Sequence, residues 1–249
     1  MKKNLLLLTT VLTITMSGCV ADMVKLKKEA NIHYRLGNTH LKTGNMIPAL
    51  KELTKAVEKD PQNALYHNAL GIAYYSKELN EEAITHLKTA IALDPKSSDA
   101  HTNLGAVYIA EQRWDEAISE FKKAVSNVFY LTPETAYTNM GWAYYQKGDY
   151  NNAILNLKEG IKANPQYGMA YNNIGLVYLR VEKNQEAKDA FLKVIQLFPD
   201  YVDANYYLGL IYIKLEEKEK ARASLQHVVD LSSGSELEKS AKEYLKLLK

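Results

Sequence analysis

"LGIAYYSKELNEEAITHL", residues 70–87, decides the fold. Gly71 follows Leu70, Tyr74 stands three residues after the glycine, Ala83 twelve after it and Leu87 sixteen after it. Ala83 and Leu87 are one turn apart on a helix, and the stretch before them leaves room for a tight reversal from an earlier helix. The arrangement recurs. Gly37, Gly71, Gly105, Gly141, Gly175 and Gly209 are separated by 34, 34, 36, 34 and 34 residues. Three residues after these glycines come His40, Tyr74, Tyr108, Tyr144, Tyr178 and Tyr212; twelve after come Ala49, Ala83, Ala117, Ala153, Ala187 and Ala221; four further on come Leu53, Leu87, Phe121, Leu157, Phe191 and Leu225. Six repeated helix pairs follow.

Small Gly and Ala allow two antiparallel helices to approach closely while the large residues fill the space around the contact. Pro61, Pro95, Pro165 and Pro199 stand between repeats, where a missing N–H and a fixed φ end one helix without harming the next. Gly44 and Gly148 fall at the turn inside their pairs. A helix pair that is apolar on two faces cannot bury both alone, so stacking is required. The segment ELEKSAKEYLKLL, residues 236–248, has helical periodicity and many charges, as a capping helix should.

The pattern L-G-x2-Y, then A-x3-F, then Pro resembles the tetratricopeptide repeat, or TPR. The resemblance implies an all-α, right-handed α-solenoid of six TPR helix pairs with a C-terminal capping helix. The expected divisions are 1–18 (signal peptide), 19–29 (lipidated N-terminus and short extension), six repeats at 30–63, 64–97, 98–133, 134–167, 168–201 and 202–235, and a cap at 236–249. The single 36-residue spacing lies at "VFYLTPET", residues 128–135. Thr132 and Pro133 make a helix start, an N-cap followed by proline, so the two extra residues lengthen a linker and leave the helices whole. Val128, Phe129, Tyr130 and Leu131 are expected to pack into the junction.

The chain begins MKKNLLLLTTVLTITMSGC: a basic start, an apolar run and small residues, which together read as an export signal. The run is shorter than the roughly 20 residues that span a bilayer. Met16-Ser17-Gly18-Cys19 resembles a bacterial lipobox, which implies acylation of Cys19. An ordinary secretory signal is the alternative. Cys19 is the only cysteine, so no internal disulfide forms and the body is stabilised by packing alone. Several acyl chains give durable anchoring where one does not. Val20, not Asp, follows the cysteine, which resembles the default outer-membrane sorting signal and implies a body facing the periplasm. Lys and Arg number 31 against 29 Asp and Glu; without Lys2 and Lys3 the balance is 29 against 29. Such a body lacks the basic field that phosphate backbones require, which argues against a nucleic-acid partner.

With the glycine numbered 8 in each repeat, the resemblance implies inward-facing positions 2, 5, 6, 9, 12 and 13. Position 6 carries Asn103, Asn139 and Asn173, whose amides either pair with the main chain of an extended peptide or are unselective polar residues. Position 9 carries Ile72, Trp142, Leu176 and Leu210, and position 12 carries Tyr75, Ile109, Tyr145, Leu179 and Ile213. An apolar wall of this kind fits an apolar segment of a protein partner; the alternative is that helix packing already buries part of it. His33, His67 and His101 share position 4. Neighbouring repeats put them about 10 Å apart, too far for one metal ion, so packing is the expectation. Arg35, Lys42, Arg180 and Lys214 are too scattered for a carboxylate clamp. No phosphate loop, catalytic triad or metal spacing stands in the sequence. The expectation is no enzyme, no cofactor beyond the lipid on Cys19, and no small-molecule substrate.

Signal, repeat number, cap and the lengthened junction at "VFYLTPET" resemble the pilotin lipoproteins of type IV pilus assembly, the PilF/PilW/Tgl group. That resemblance implies a secretin subunit as partner and a role in its assembly or localisation. A general envelope scaffold, for example one tethering peptidoglycan enzymes, is the alternative.

Overall fold

The computed structural model describes residues 22–248 in full and only the helical backbone of α1 before them; the expected signal peptide 1–18 and the expected lipidation site Cys19 lie outside the residues described with side chains. Among the described residues there are thirteen helices and no strand. The chain forms two compact bodies, Met1–Gln112 and Arg113–Lys249. The first holds α1 (Lys2–Lys42), α2 (Met46–Lys59), α3 (Ala64–Tyr75), α4 (Asn80–Leu93) and α5 (Ser98–Ala110). The second holds α6 (Trp114–Ser126), α7 (Pro133–Gln146), α8 (Tyr150–Ala163), α9 (Gly168–Arg180), α10 (Asn184–Leu197), α11 (Val202–Lys214), α12 (Lys218–Leu231) and α13 (Glu236–Leu247). Within each body, consecutive helices pack against one another.

Helix pairs are closed by one recurring contact. A Cβ built on Gly141 of α7 would lie 2.6 Å from Leu157 Cγ and 3.1 Å from the Ala153 carbonyl oxygen of α8. The equivalent atom on Gly175 would lie 2.8 Å from the Phe191 ring, and Gly37, Gly71 and Gly209 meet Leu53, Leu87 and Leu225 in the same way. These leucines, Phe191 and the alanines one turn before them are fully buried. The repeat therefore marks the point where the first helix touches the second through its backbone.

Each pair turns in the same manner. The residue seven after the repeat glycine has φ between 56° and 79° in all six repeats: Gly44, Glu78, Gln112, Gly148, Glu182 and Glu216. At Glu78 the turn is a Schellman motif: Leu79 N–H donates to Tyr74 O and Glu78 N–H to Tyr75 O. The same pair of bonds closes the turns at Gly44, Gly148, Glu182 and Glu216. Two repeats use glycine there and four hold a long side chain in the left-handed region.

The connections between repeats are tied down by position 4. His67 Nε2 meets Pro61 O at 3.1 Å, His101 Nε2 meets Pro95 O at 3.2 Å, and Asn205 Nδ2 donates to Pro199 O at 2.9 Å. Since a carbonyl only accepts, His67 carries a proton on Nε2, and in the neutral ring its Nδ1 accepts from His86 Nδ1–H, 3.1 Å away. In the first repeat the same slot pairs His33 Nδ1 with Glu52 at 2.6 Å. The C-terminal body ends on α13, whose Ala241 and following Leu248 are buried against a cluster that includes Leu225 and Val228. Ser235 caps α13 by accepting from Glu238 N–H.

At the junction "VFYL" Tyr130 is half-buried, but the other three side chains differ from expectation. Val128, Phe129 and Leu131 are 86%, 85% and 93% exposed. Asn127 Oδ1 accepts from Phe129 N–H and Asn127 O from Tyr130 N–H, so the two extra residues close a local turn and hold these side chains outward. Thr132 occupies the N-cap of α7 without a side-chain capping bond, and Pro133 enters the first turn.

Three measurements check this account. Gly141→Ala gains about 1 kcal/mol of helix propensity but forces overpacking that costs about 1–3 kcal/mol; Ala153 O is backbone and does not yield, so we expect net destabilisation and a Tm lower by about 2–4 °C. Glu182→Gly and Glu216→Gly should each stabilise by about 0.5–1 kcal/mol, because left-handed strain of roughly 1–2 kcal/mol exceeds the backbone-entropy cost of about 0.5–1 kcal/mol; urea midpoints read this. The third concerns pH. Burial, then the neighbouring His67, lowers the His86 pKa below its ordinary 6.5, so the unfolded chain takes that proton first and stability falls as pH drops below about 6.5. The hydrogen bonds from His33 and then Lys55 lower Glu52 from 4.5 to about 2, so its contribution is lost as pH falls through that window. Urea titrations between about pH 7 and pH 5.5 read the decline due to His86, and His86→Phe, which removes the group whose pKa is lowered, should reduce it.

Candidate protein-binding face

The first helices of successive pairs touch one another within each body, α1 with α3 and α3 with α5 in the first, α7 with α9 in the second. Positions 9 and 12 lie on these helices. In the first body Ile72, Tyr75 and Ile109 are half-buried. Asn103 is half-buried too, and its Nδ2 donates to Asn68 Oδ1 at 2.9 Å. This amide is engaged by a neighbouring side chain.

In the second body Asn139, Trp142, Tyr145, Leu176, Leu179, Leu210 and Ile213 are half-buried, and Asn173 is buried at 8%. The helical period sorts them. A residue four after the glycine is rotated about 40° from it, whereas the residue next to it is rotated about 100°. Position 12 is therefore drawn toward the helix contact: Leu179 and Ile213 pack on the cluster of Phe191, Leu208 and Ile211, and Tyr145 packs on that of Leu157 and Val177. Leu176, at position 9, also packs on the first of these clusters. The Trp142 and Tyr145 rings stack at 5.2 Å, and Tyr145 meets Tyr150 at 5.9 Å. Arg180 Nε donates to Tyr150 OH at 3.3 Å. Tyr207 stacks on Phe191 at 5.3 Å; burial, then Asp203, then Tyr145, raises its pKa above the ordinary 10.

Tyr150 and Tyr207 extend the aromatic surface beyond the residues named from the repeat positions, and Arg180, weighed there only as part of a carboxylate clamp, meets it through Tyr150. Tyr207 holds position 6 of the last repeat, the slot of the three asparagines, so the repeat numbering contained the signal. Tyr150 opens the second helix of its pair and has no such marker. Among the described residues no cluster of three or more His, Cys, Asp or Glu is arranged to hold a metal ion, and no helix is long and apolar enough to cross a membrane.

Family models described as TPR repeat or tetratricopeptide repeat match residues 30–63, 74–110, 100–127, 141–181 and 173–236, together well over half of the chain. The chain belongs to the tetratricopeptide-repeat family. In structure this TPR protein is similar to PilF of Pseudomonas aeruginosa, with a TM-score of 0.79 and 18% identity over 88% of this chain and 99% of that one. It is similar to PilW, a widely conserved type IV pilus biogenesis factor, with a TM-score of 0.79 and 21% identity over 86% and 98% of the two chains. YrrB, a TPR protein with an unusual peptide-binding site, follows at 0.59 and 24% over 77% and 97%. At these identities the likeness is one of fold. No match was found among curated protein sequences.

The aromatic stack generates a prediction within the TPR fold. Tyr145→Ala should remove the ring that joins Trp142 to Tyr150 and shift the Trp142 emission, with Trp114→Phe as background so that one tryptophan reports. An unchanged spectrum would mean that Trp142 does not rest on Tyr145.

Proposed function

We propose that this TPR protein is a non-enzymatic adaptor, anchored to the outer membrane by lipid on Cys19, that binds an apolar segment of a protein partner on the first-helix face of its repeats. The partner we assign is a secretin subunit, and the role is that of a pilotin promoting secretin assembly in type IV pilus biogenesis. The observation that carries the binding reading is the row of half-buried apolar side chains around Trp142, Tyr145 and Leu210, since an aromatic platform on a rigid scaffold suits an apolar segment. The pilus assignment is supported by the likeness to PilF and PilW over nearly their whole lengths. The lipobox-like Met16-Ser17-Gly18-Cys19 and Val20 support the anchor and its destination. From Cys19 to Met23 there are four residues, each reaching at most about 3.5 Å, so the body works close to the bilayer.

Three outcomes test the proposal. Deleting the gene should abolish heat-stable secretin multimers; normal multimers would exclude the pilotin role and leave a general envelope scaffold. Trp142→Glu should weaken recovery of the secretin about 30-fold, the effect of losing roughly 2 kcal/mol, while Leu155→Glu on α8 should not. Cys19→Ser should abolish labelling with radioactive palmitate and release the protein from the outer-membrane fraction.

A further inference from the structure

The second body carries an apolar projection and an apolar recess on its inter-repeat loops. The projection is the turn after α6: Val128, Phe129 and Leu131, each more than four-fifths exposed and held by the two Asn127 hydrogen bonds. Three large side chains on one preorganised turn bind at little further entropic cost. The recess is a cleft of about 580 Å³ between the loops after α8 and α10, lined chiefly by Tyr167, Gly168, Met169, Phe198, Pro199 and Tyr201. Phe198 lies over Gly168, where a Cβ would come within 2.5 Å of its ring, so the missing side chain at residue 168 lets that ring form one wall. Met169 and Phe198 remain 46% and 49% exposed. The projection does not enter the recess of its own chain.

We propose that two copies of this chain pair through these features, the Phe129 turn of each seated in the Tyr167–Tyr201 cleft of the other. Chemistry favours a second copy over a lipid surface. The one charged residue in the cleft lining is Asp200, whose carboxylate is largely exposed beside His227 Nε2 at 3.4 Å; it repels anionic headgroups and complements Lys122, exposed near the end of α6, whereas Lys123 is held by Glu120 at 2.7 Å. Reciprocal seating is the isologous arrangement that a two-fold axis produces, and it closes after two copies. A buried Phe contributes about 150–250 Å², and a stable interface needs about 800 Å² per partner. The pair is accordingly weak and forms where chains are concentrated, as on a shared membrane. The contact uses neither Trp142 nor the first-helix face and stands whether or not that face binds a secretin.

The test is a photo-crosslinking p-benzoylphenylalanine in place of Phe129 in the full chain, irradiated in cells. The expected product has twice the mass of the chain, with the crosslink mapped by mass spectrometry to residues 166–201, and Met169→Asp reduces it at least tenfold while leaving the thermal melt unchanged. A probe at Leu155 should give no such product. Absence of the doubled species, a crosslink to lipid or to another polypeptide, or a crosslink mapped elsewhere on the chain would overturn the pairing; the mapping decides the matter even if Met169→Asp destabilises the fold.

Discussion

The contact between a glycine on the first helix of each pair and a leucine or phenylalanine on the second is the constraint on which the structure depends. With no Cβ at Gly37, Gly71, Gly141, Gly175 and Gly209, the large side chain rests on bare backbone, and the alanine one turn before it is fully buried. That fixes both spacing and register, because only one rotation of each helix brings small against large. Once the rotation is set, so is every other position: the residue after the glycine lies at the margin of the contact, and the residue four after it is pulled partly inside. The half-burial of Trp142 and Leu210, and the packing of Leu176, Leu179 and Ile213 on the core, are consistent with this geometry.

Much of the fold was legible because the contact is written in residue types that have few substitutes. Glycine and alanine at the approach, proline between pairs and the charged final helix each have a single steric or hydrogen-bonding reason to be there. The turn inside each pair was half legible. Gly44 and Gly148 announce a left-handed residue, but Glu78, Gln112, Glu182 and Glu216 adopt the same φ without any sign of it, since the two Schellman hydrogen bonds and the packed helices outweigh a strain of roughly 1–2 kcal/mol. The histidines of position 4 carried no sign that they would bind the proline carbonyl six residues earlier, a bond that depends on how the loop folds back. Val128, Phe129 and Leu131 misled in the opposite direction. Apolar character argued for burial, yet a local turn centred on Asn127 keeps them in solvent.

The candidate face was legible in its positions and less so in its chemistry. Repeat numbering located the aliphatic and aromatic rows, but the continuity from Trp142 through Tyr145 to Tyr150 and Arg180 joins residues of different helices, which periodicity on one helix does not reveal. Asn103 donates to Asn68 across α3 and α5, and Asn173 is buried. The aromatic and aliphatic side chains carry the binding reading, and it is these that a partner would have to cover.

Oxidative footprinting by hydroxyl radicals, read by mass spectrometry on the protein alone and with the proposed secretin partner added, tests this most directly, because it reports each side chain separately. The account predicts loss of reactivity at Trp142, Tyr145 and Leu210, with Leu155 of α8 and Leu192 of α10 unchanged. Protection of Leu155 and Leu192 with Trp142 still reactive would contradict it and place the partner on the second helices.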